Sequence, residues 1–180
     1  MSSHITNINH IHQHKKNKMT EKIKGASKSA VRENGAGLNI VVIHTGWNEK
    51  IVSALVEGCV SELRLSNTTK VSVVKVPGAF ELPFACKTLI EADKTVDAVI
   101  AIGCLIKGGT MHFEYICDAV SHGLMKVGLD TGVPVIFGVL TCLTEQQALQ
   151  RAGLEPGMHN HGPEWGAAAI RMANLRKAKI

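Results

Sequence analysis

The chain has 180 residues, 45% of them hydrophobic, enough for one domain of ordinary size with a true core. No apolar run approaches the length of a membrane span, and no apolar segment of the secretory type opens the chain, so a soluble cytoplasmic protein with no membrane partner is expected. The net charge of +5 comes from residues 1–38, which hold seven Lys/Arg against two Glu; residues 39–180 carry thirteen of each sign, which argues against a basic nucleic-acid groove on the domain.

Residues 1–37 are polar, rich in His, Lys, Asn and Ser and free of periodicity, and they read as a disordered N-terminal extension. His4, His10, His12 and His14 belong to it and read as solvated side chains rather than a metal site. The domain proper is expected over residues 38–180. LNIVVIH (38–44) is a β-branched run suited to a strand covered on both faces. TGWN follows as a turn with Asn48 as N-cap, and EKIVSALVEGCVSELRL (49–65) puts Ile51, Leu55, Val56, Cys59 and Leu63 at helical spacing. VSVVKV (71–76) predicts a second strand, stopped by Pro77-Gly78, and AFELPFACKTLIEA (79–92) a helix with Pro83 in its first turn.

DAVIAIGCLI (97–106) reads as the third strand, MHFEYICDAVSHGLMKVGL (111–129) as a helix, and TGVPVIFGVLT (131–141) as a turn and a fourth strand. Thr144 is placed to cap a short helix ending at Gly153, and the loop LEPGMHNHGP (154–163) leads to a last helix from Glu164. The order β-α-β-α-β-α-β-α-α predicts a parallel sheet with helices on both faces. The five cysteines, 59, 86, 104, 117 and 142, form no CxxC pair, which predicts free thiols and no zinc knuckle.

In open α/β sheets ligands bind outside the carboxyl ends of the strands, so HTGWN (44–48), VPGAFELP (76–83), GCLIKGGTMH (103–112) and FGVLT (137–141) should border one crevice. KGGT (107–110) joins a strand to a helix start, where glycine-freed N–H groups, helix polarity and the Thr110 hydroxyl suit a phosphate; an ordinary glycine-rich turn is the alternative. His112, in the first helical turn, is placed either to move protons near neutrality or to pack as a structural histidine. Glu81 either grips sugar hydroxyls or caps its helix, and Trp47 either stacks on a planar ring or anchors its loop. Lys107 either adds to the phosphate field or faces water. Glu114 and Tyr115 read as helix-surface residues. The HNH triplet (159–161) lacks evident further ligands, so no metal is expected.

GAFELP, AIGCLIKGGTMHFEY, and GVPVIFGVLT followed by QALQRAG, in this order from about Leu38 to the C-terminus, together resemble the lumazine synthase family. IKGGTMHFEY and the HNHG…WGAAA ending look most like its fungal branch. The resemblance implies a three-layer flavodoxin-like α/β fold with a four-stranded parallel sheet flanked by helices on both faces. It implies condensation of 5-amino-6-(D-ribitylamino)uracil with L-3,4-dihydroxy-2-butanone 4-phosphate, the penultimate step of riboflavin biosynthesis, with no metal or organic cofactor. The expected partners are these two small-molecule substrates and copies of the chain, in a homopentamer with active sites at subunit interfaces. The long 154–163 loop resembles the fungal insertion and favours a pentamer alone over a shell of twelve.

By the same resemblance, Trp47 corresponds to the aromatic that stacks on the pyrimidinedione, while Ala79, Phe80 and Glu81 match the segment holding ring and ribityl chain. Cys104, Leu105 and Ile106 match a strand end that touches the pyrimidinedione through backbone groups. Gly109 and Thr110 match the phosphate turn, and His112 the catalytic proton carrier. Phe137 is implied to reach the pyrimidine from the adjacent subunit and Arg151 to bind the butanone phosphate. His161 stands where bacterial members often have lysine, near the pyrimidinedione. Gly109 and Cys104 depart from the usual serine or alanine and threonine or valine, at contacts expected through the backbone. A flavin-binding module without catalysis, or a purely structural shell protein, are the rival readings.

Overall fold

The computed structural model describes residues 32–178. The polar segment 1–31, with its four histidines, lies outside the described residues. Residues 32–37, assigned to the extension from composition, are tied to the domain. Arg32 pairs with Glu62 at 2.8 Å, Arg171 with Glu33 at 2.6 Å, and the Gly35 N–H donates to the Ser66 carbonyl at 2.6 Å. Composition reads this stretch as solvated because it carries no apolar periodicity, yet its backbone and charges find partners on two helices.

The chain alternates β1 (Asn39–Thr45), α1 (Glu49–Leu65), β2 (Lys70–Val76), a 3-10 turn (Ala79–Glu81), α2 (Leu82–Ala92), β3 (Ala98–Ile106), α3 (His112–Thr131), β4 (Val135–Cys142), α4 (Glu145–Arg151) and α5 (Gly162–Lys177). The strands form one parallel sheet in the order β2-β1-β3-β4. This is the expected α/β architecture. The two central strands show why their sequences are apolar throughout: alternate side chains enter opposite layers. Ile40, Val42, Ile100 and Ile102 pack with Leu55, Cys59 and Leu63 of α1 and Ala169, Ile170 and Ala173 of α5. Val41, Ile43, Val99 and Ala101 pack with Leu82, Cys86 and Ile90 of α2 and Val120, Leu124 and Val127 of α3. Two dry layers on one sheet give the domain its stability.

α5 lies unusually close to α1 because its contact stripe is made of small residues, Gly162, Gly166, Ala169 and Ala173. A Cβ at Gly162 would stand 2.1 Å from the Leu55 carbonyl oxygen. Two local expectations change and one holds. Asn48 sits at the start of α1 in left-handed conformation (φ 54°) and makes no side-chain cap; its amide instead donates to the Cys104 carbonyl at 2.9 Å. The helix expected from Ala79 begins as a 3-10 turn, since Pro83 supplies no N–H for the α-helical bond that would include the residues before it. Thr144 caps α4 as its sequence predicts, accepting from the Gln147 N–H at 3.3 Å, while the Gln147 side chain accepts from the Leu143 N–H at 2.8 Å. The described cysteines are free, and burial pushes the Cys59 and Cys86 thiols up to about 12, so both stay protonated.

Candidate active site

The winding direction of the sheet reverses between β1 and β3, which places a ligand crevice at their carboxyl ends. The loops there are joined to one another. The Gly46 N–H donates to the Pro77 carbonyl at 3.3 Å, and Asn48 bridges to Cys104. Around the bare Cα of Gly78, a Cβ would meet the Glu81 carboxylate at 3.0 Å and the Trp47 indole at 3.6 Å. A ring and a carboxylate from two different loops therefore flank one backbone turn. Trp47 is 73% exposed and Phe80 60%, so within the single chain Trp47 is not a partly buried anchor of its loop and both rings are open. Glu81 makes no side-chain cap on α2, so its carboxylate is free to accept hydroxyl donors. Ala79 is buried beneath it.

The β3 end supplies the next wall. Cys104 is buried, and its thiol is raised above the ordinary range by its hydrogen bond to Cys142 and by burial. Leu105 and Ile106 are half-buried as β3 leaves the core. Beyond them, Gly108 and Gly109 are exposed, neither has a positive φ, and a Cβ on either would meet open space. The glycines are thus not demanded by a left-handed backbone; as the sequence reading has it, they leave backbone N–H groups bare. α3 starts with no side-chain cap, and the Thr110 hydroxyl oxygen accepts only weakly from the His112 N–H at 3.4 Å. An uncapped helix start beside an exposed turn is a receptive place for an anion. His112, also exposed, stands at the first position of α3 over that turn.

Lys107 has a partner. Its ammonium pairs with Glu114 two residues into α3, and its own N–H donates to the Cys142 carbonyl at 2.9 Å. The pair closes the turn like a strap, so Glu114 is more than a surface residue of the helix. The Lys107 hydrogen bond holds the Glu114 carboxyl below the usual range. A lowered carboxylate pKa contributes stability above the unfolded-state value and loses it as pH falls through the folded value. The melting-temperature gap between the wild-type chain and Glu114→Gln should therefore be flat above about pH 5 and shrink at more acidic pH. A gap independent of pH would remove the ion pair as its cause.

The remaining candidates lie on the other side of the sheet order. Phe137 stands on edge strand β4 opposite Ala101, well before the strand's carboxyl end, and is 41% exposed. Arg151 ends α4 and donates from Nη1 to His161 Nε2 at 3.2 Å. His161 Nδ1 lies 2.7 Å from one Glu164 carboxylate oxygen, and His159 Nε2 lies 3.1 Å from the other. Sequence reasoning missed Glu164; its place in the first turn of α5, three residues after His161, was the available signal. His159, His161 and Glu164 offer three ligand atoms within 4.8 Å, so the fold does supply the third group the sequence did not. A cation on His161 Nδ1 would, however, leave a proton on Nε2 facing the guanidinium, so Arg151 opposes a metal here. A cavity of about 280 Å³ lined by Asp93, Asp130 and Arg176 opens near the amino ends of β3 and β4, away from these groups.

The family model for 6,7-dimethyl-8-ribityllumazine synthase matches residues 37–177, nearly all that the structure describes. The chain belongs to the 6,7-dimethyl-8-ribityllumazine synthase family. It is 51% identical to the enzyme of that name from Schizosaccharomyces pombe over 153 residues, covering 83% of this chain and 94% of the relative. The enzyme of the same name from Pyricularia oryzae is 42% identical, with 81% and 92% covered. The one from Streptomyces coelicolor is 44% identical, with 83% and 91% covered. The four-stranded parallel sheet is consistent with that family. No helix among the described residues is long and apolar enough to cross a membrane.

Proposed function

We propose that this chain condenses 5-amino-6-(D-ribitylamino)uracil with L-3,4-dihydroxy-2-butanone 4-phosphate to give 6,7-dimethyl-8-ribityllumazine, phosphate and water. One observation carries the residue assignments: Trp47 and Glu81, from separate loops, flank Gly78, and a bare glycine turn leaves β3 at the same carboxyl end of the sheet to open α3 at His112. The indole stacks on the pyrimidinedione, and Ala79, Phe80 and Glu81 hold the ring edge and the ribityl hydroxyls. Cys104, Leu105 and Ile106 meet the pyrimidinedione through their backbone. Gly109 and Thr110 receive the phosphate, with Arg151 as its cationic partner.

The uracil amine attacks the ketone to give a carbinolamine, and loss of water gives an imine. Elimination of phosphate, tautomerisation, attack by the ribitylamino nitrogen on the remaining carbonyl and loss of a second water then close the ring. Each step moves a proton, and His112 over the anion turn is placed to carry it. Holding both substrates together supplies much of the rate, because a bimolecular encounter becomes intramolecular. No cofactor is assigned to the reaction.

The crevice is a one-sided wall in a single chain, and Phe137 and the Arg151–His161 group lie towards the β4 edge. Exposed Phe84, Tyr115, Met125 and Leu129 leave apolar surface uncovered on α2 and α3. These features favour a homopentamer in which Phe137, Arg151 and His161 complete the crevice of a neighbour. The catalytic domain begins near Leu38, with residues 32–37 tied to its surface, and the enzyme works in the cytoplasm.

Mixing the two substrates with the protein and following lumazine fluorescence together with phosphate release tests the activity. Fluorescence without phosphate, or neither, rejects it. His112→Ala should slow turnover about tenfold, a modest loss because orientation carries most of the rate, and leave both KM values near wild type. Unchanged turnover with lost binding would count against the proton-carrier role.

A further inference from the structure

We infer that Glu164 is a positioning residue for Arg151, acting through the tautomer of His161; this rests on the reading of Arg151 as the phosphate-binding cation. The argument is one of donors and acceptors. A guanidinium only donates, so the 3.2 Å contact with His161 Nε2 requires that nitrogen to be the acceptor. A neutral imidazole then carries its proton on Nδ1, and Nδ1 faces Glu164 at 2.7 Å, where a carboxylate accepts it. The second Glu164 oxygen is engaged by His159 Nε2 at 3.1 Å, which fixes the carboxylate plane. The order is Arg151 to His161 to Glu164, with each donor meeting an acceptor. Remove Glu164, and the proton on Nδ1 loses its partner. The other tautomer then puts an N–H against the guanidinium, and Arg151 loses its rest.

The backbone is built to keep this chain in line. Ala152 and Asn160 form an antiparallel bridge, and the His161 N–H donates to the Arg151 carbonyl at 3.1 Å, so the two side chains leave adjacent backbone. Asn160 donates to the Ala54 carbonyl of α1 at 2.6 Å and accepts from the Gly162 N–H at 2.7 Å. The loop is therefore pinned to the core helix on one side of His161, while Glu164 is held by α5 on the other. The His161 side chain is 15% exposed, so water competes poorly for its two nitrogens. His161 is then an orienting residue for the phosphate partner rather than a direct pyrimidinedione contact. The lysine common in bacterial members could not replace it, since an ammonium offers no acceptor to a guanidinium.

Two readouts test this, one independent of activity. In histidine-15N-labelled protein at mildly alkaline pH, His161 should show a protonated Nδ1 and an unprotonated Nε2, and Glu164→Ala should move population to the opposite tautomer. An Nε2-protonated His161 in the wild-type chain overturns the inference even where the condensation is confirmed. In steady-state kinetics, Glu164→Ala should raise KM for the phosphate substrate about five- to tenfold, with kcat and the KM for the uracil within twofold. Glu164→Gln, whose carbonyl still accepts from Nδ1, should recover most of the loss. In an Arg151→Ala background Glu164→Ala should add nothing further to that KM. An additive effect there, or both KM values rising together, shows a merely structural role and rejects the proposal. Absence of any condensation in the wild-type chain would instead reject the catalytic reading and leave the tautomer measurement to decide this one.

Discussion

Arg151→Ala is expected to raise the KM for 3,4-dihydroxy-2-butanone 4-phosphate by about 10- to 100-fold, the loss of one or two charge-assisted contacts to phosphate. The KM for the ribitylaminouracil should stay within about twofold, because that substrate carries no phosphate for the guanidinium to hold. Arg151→Lys should recover only part of the loss: the charge remains, but an ammonium has neither the planar fork nor the geometry to rest on His161 Nε2. Initial rates over a matrix of both substrate concentrations check the assignment. An unaltered KM for the phosphate substrate would refute it, since the guanidinium would then be serving only the local network with His161.

The second large effect concerns folding. Gly162→Ala places a methyl 2.1 Å from the Leu55 carbonyl oxygen and 2.8 Å from the Cys59 nitrogen, both rigid backbone of the core helix α1. A side chain could rotate away; a helix backbone cannot, so α5 must lift from α1 across its small-residue stripe. The expected cost is about 3 kcal/mol or more, at or beyond the upper end for overpacking, against a total stability of only about 5–15 kcal/mol. Urea unfolding should show a large drop in midpoint with little change in slope. Gly109→Ala is the control. With open space around its Cβ and no positive φ, it should leave the midpoint within error. A Gly162→Ala midpoint equal to that of the control would mean that α5 does not pack as described.

These two glycines show what could be read from the sequence and what could not. Gly109 stands in KGGT, which looks like a turn, and its freedom was expected to serve backbone conformation. The fold gives it ordinary φ and empty surroundings, so its value is access. Gly162 sits in an unremarkable loop-to-helix step, and nothing local marks it as a contact point. It became critical only because α5 returns to lie on α1. The same holds for Glu81, whose spacing suited a cap as well as a ligand contact. Only the position of Gly78 and Trp47 beside it shows a free carboxylate at a strand end.

Sequence alone determined the alternation of strands and helices, the parallel sheet, the two dry layers and the strand-end location of Trp47, Glu81, Gly109, Thr110 and His112. Those features follow from periodicity and turn chemistry, which act over a few residues and leave a local mark. Tertiary structure decided the partners. Asn48 bonds to Cys104 across 56 residues instead of capping its own helix, and Lys107 spends its charge on Glu114. Arg151 comes to rest on a histidine whose tautomer a glutamate sets. A side-chain hydrogen bond depends on distances of a few tenths of an ångström between elements that meet only after the sheet and helices have packed. No pattern of residue types along the chain encodes such a distance.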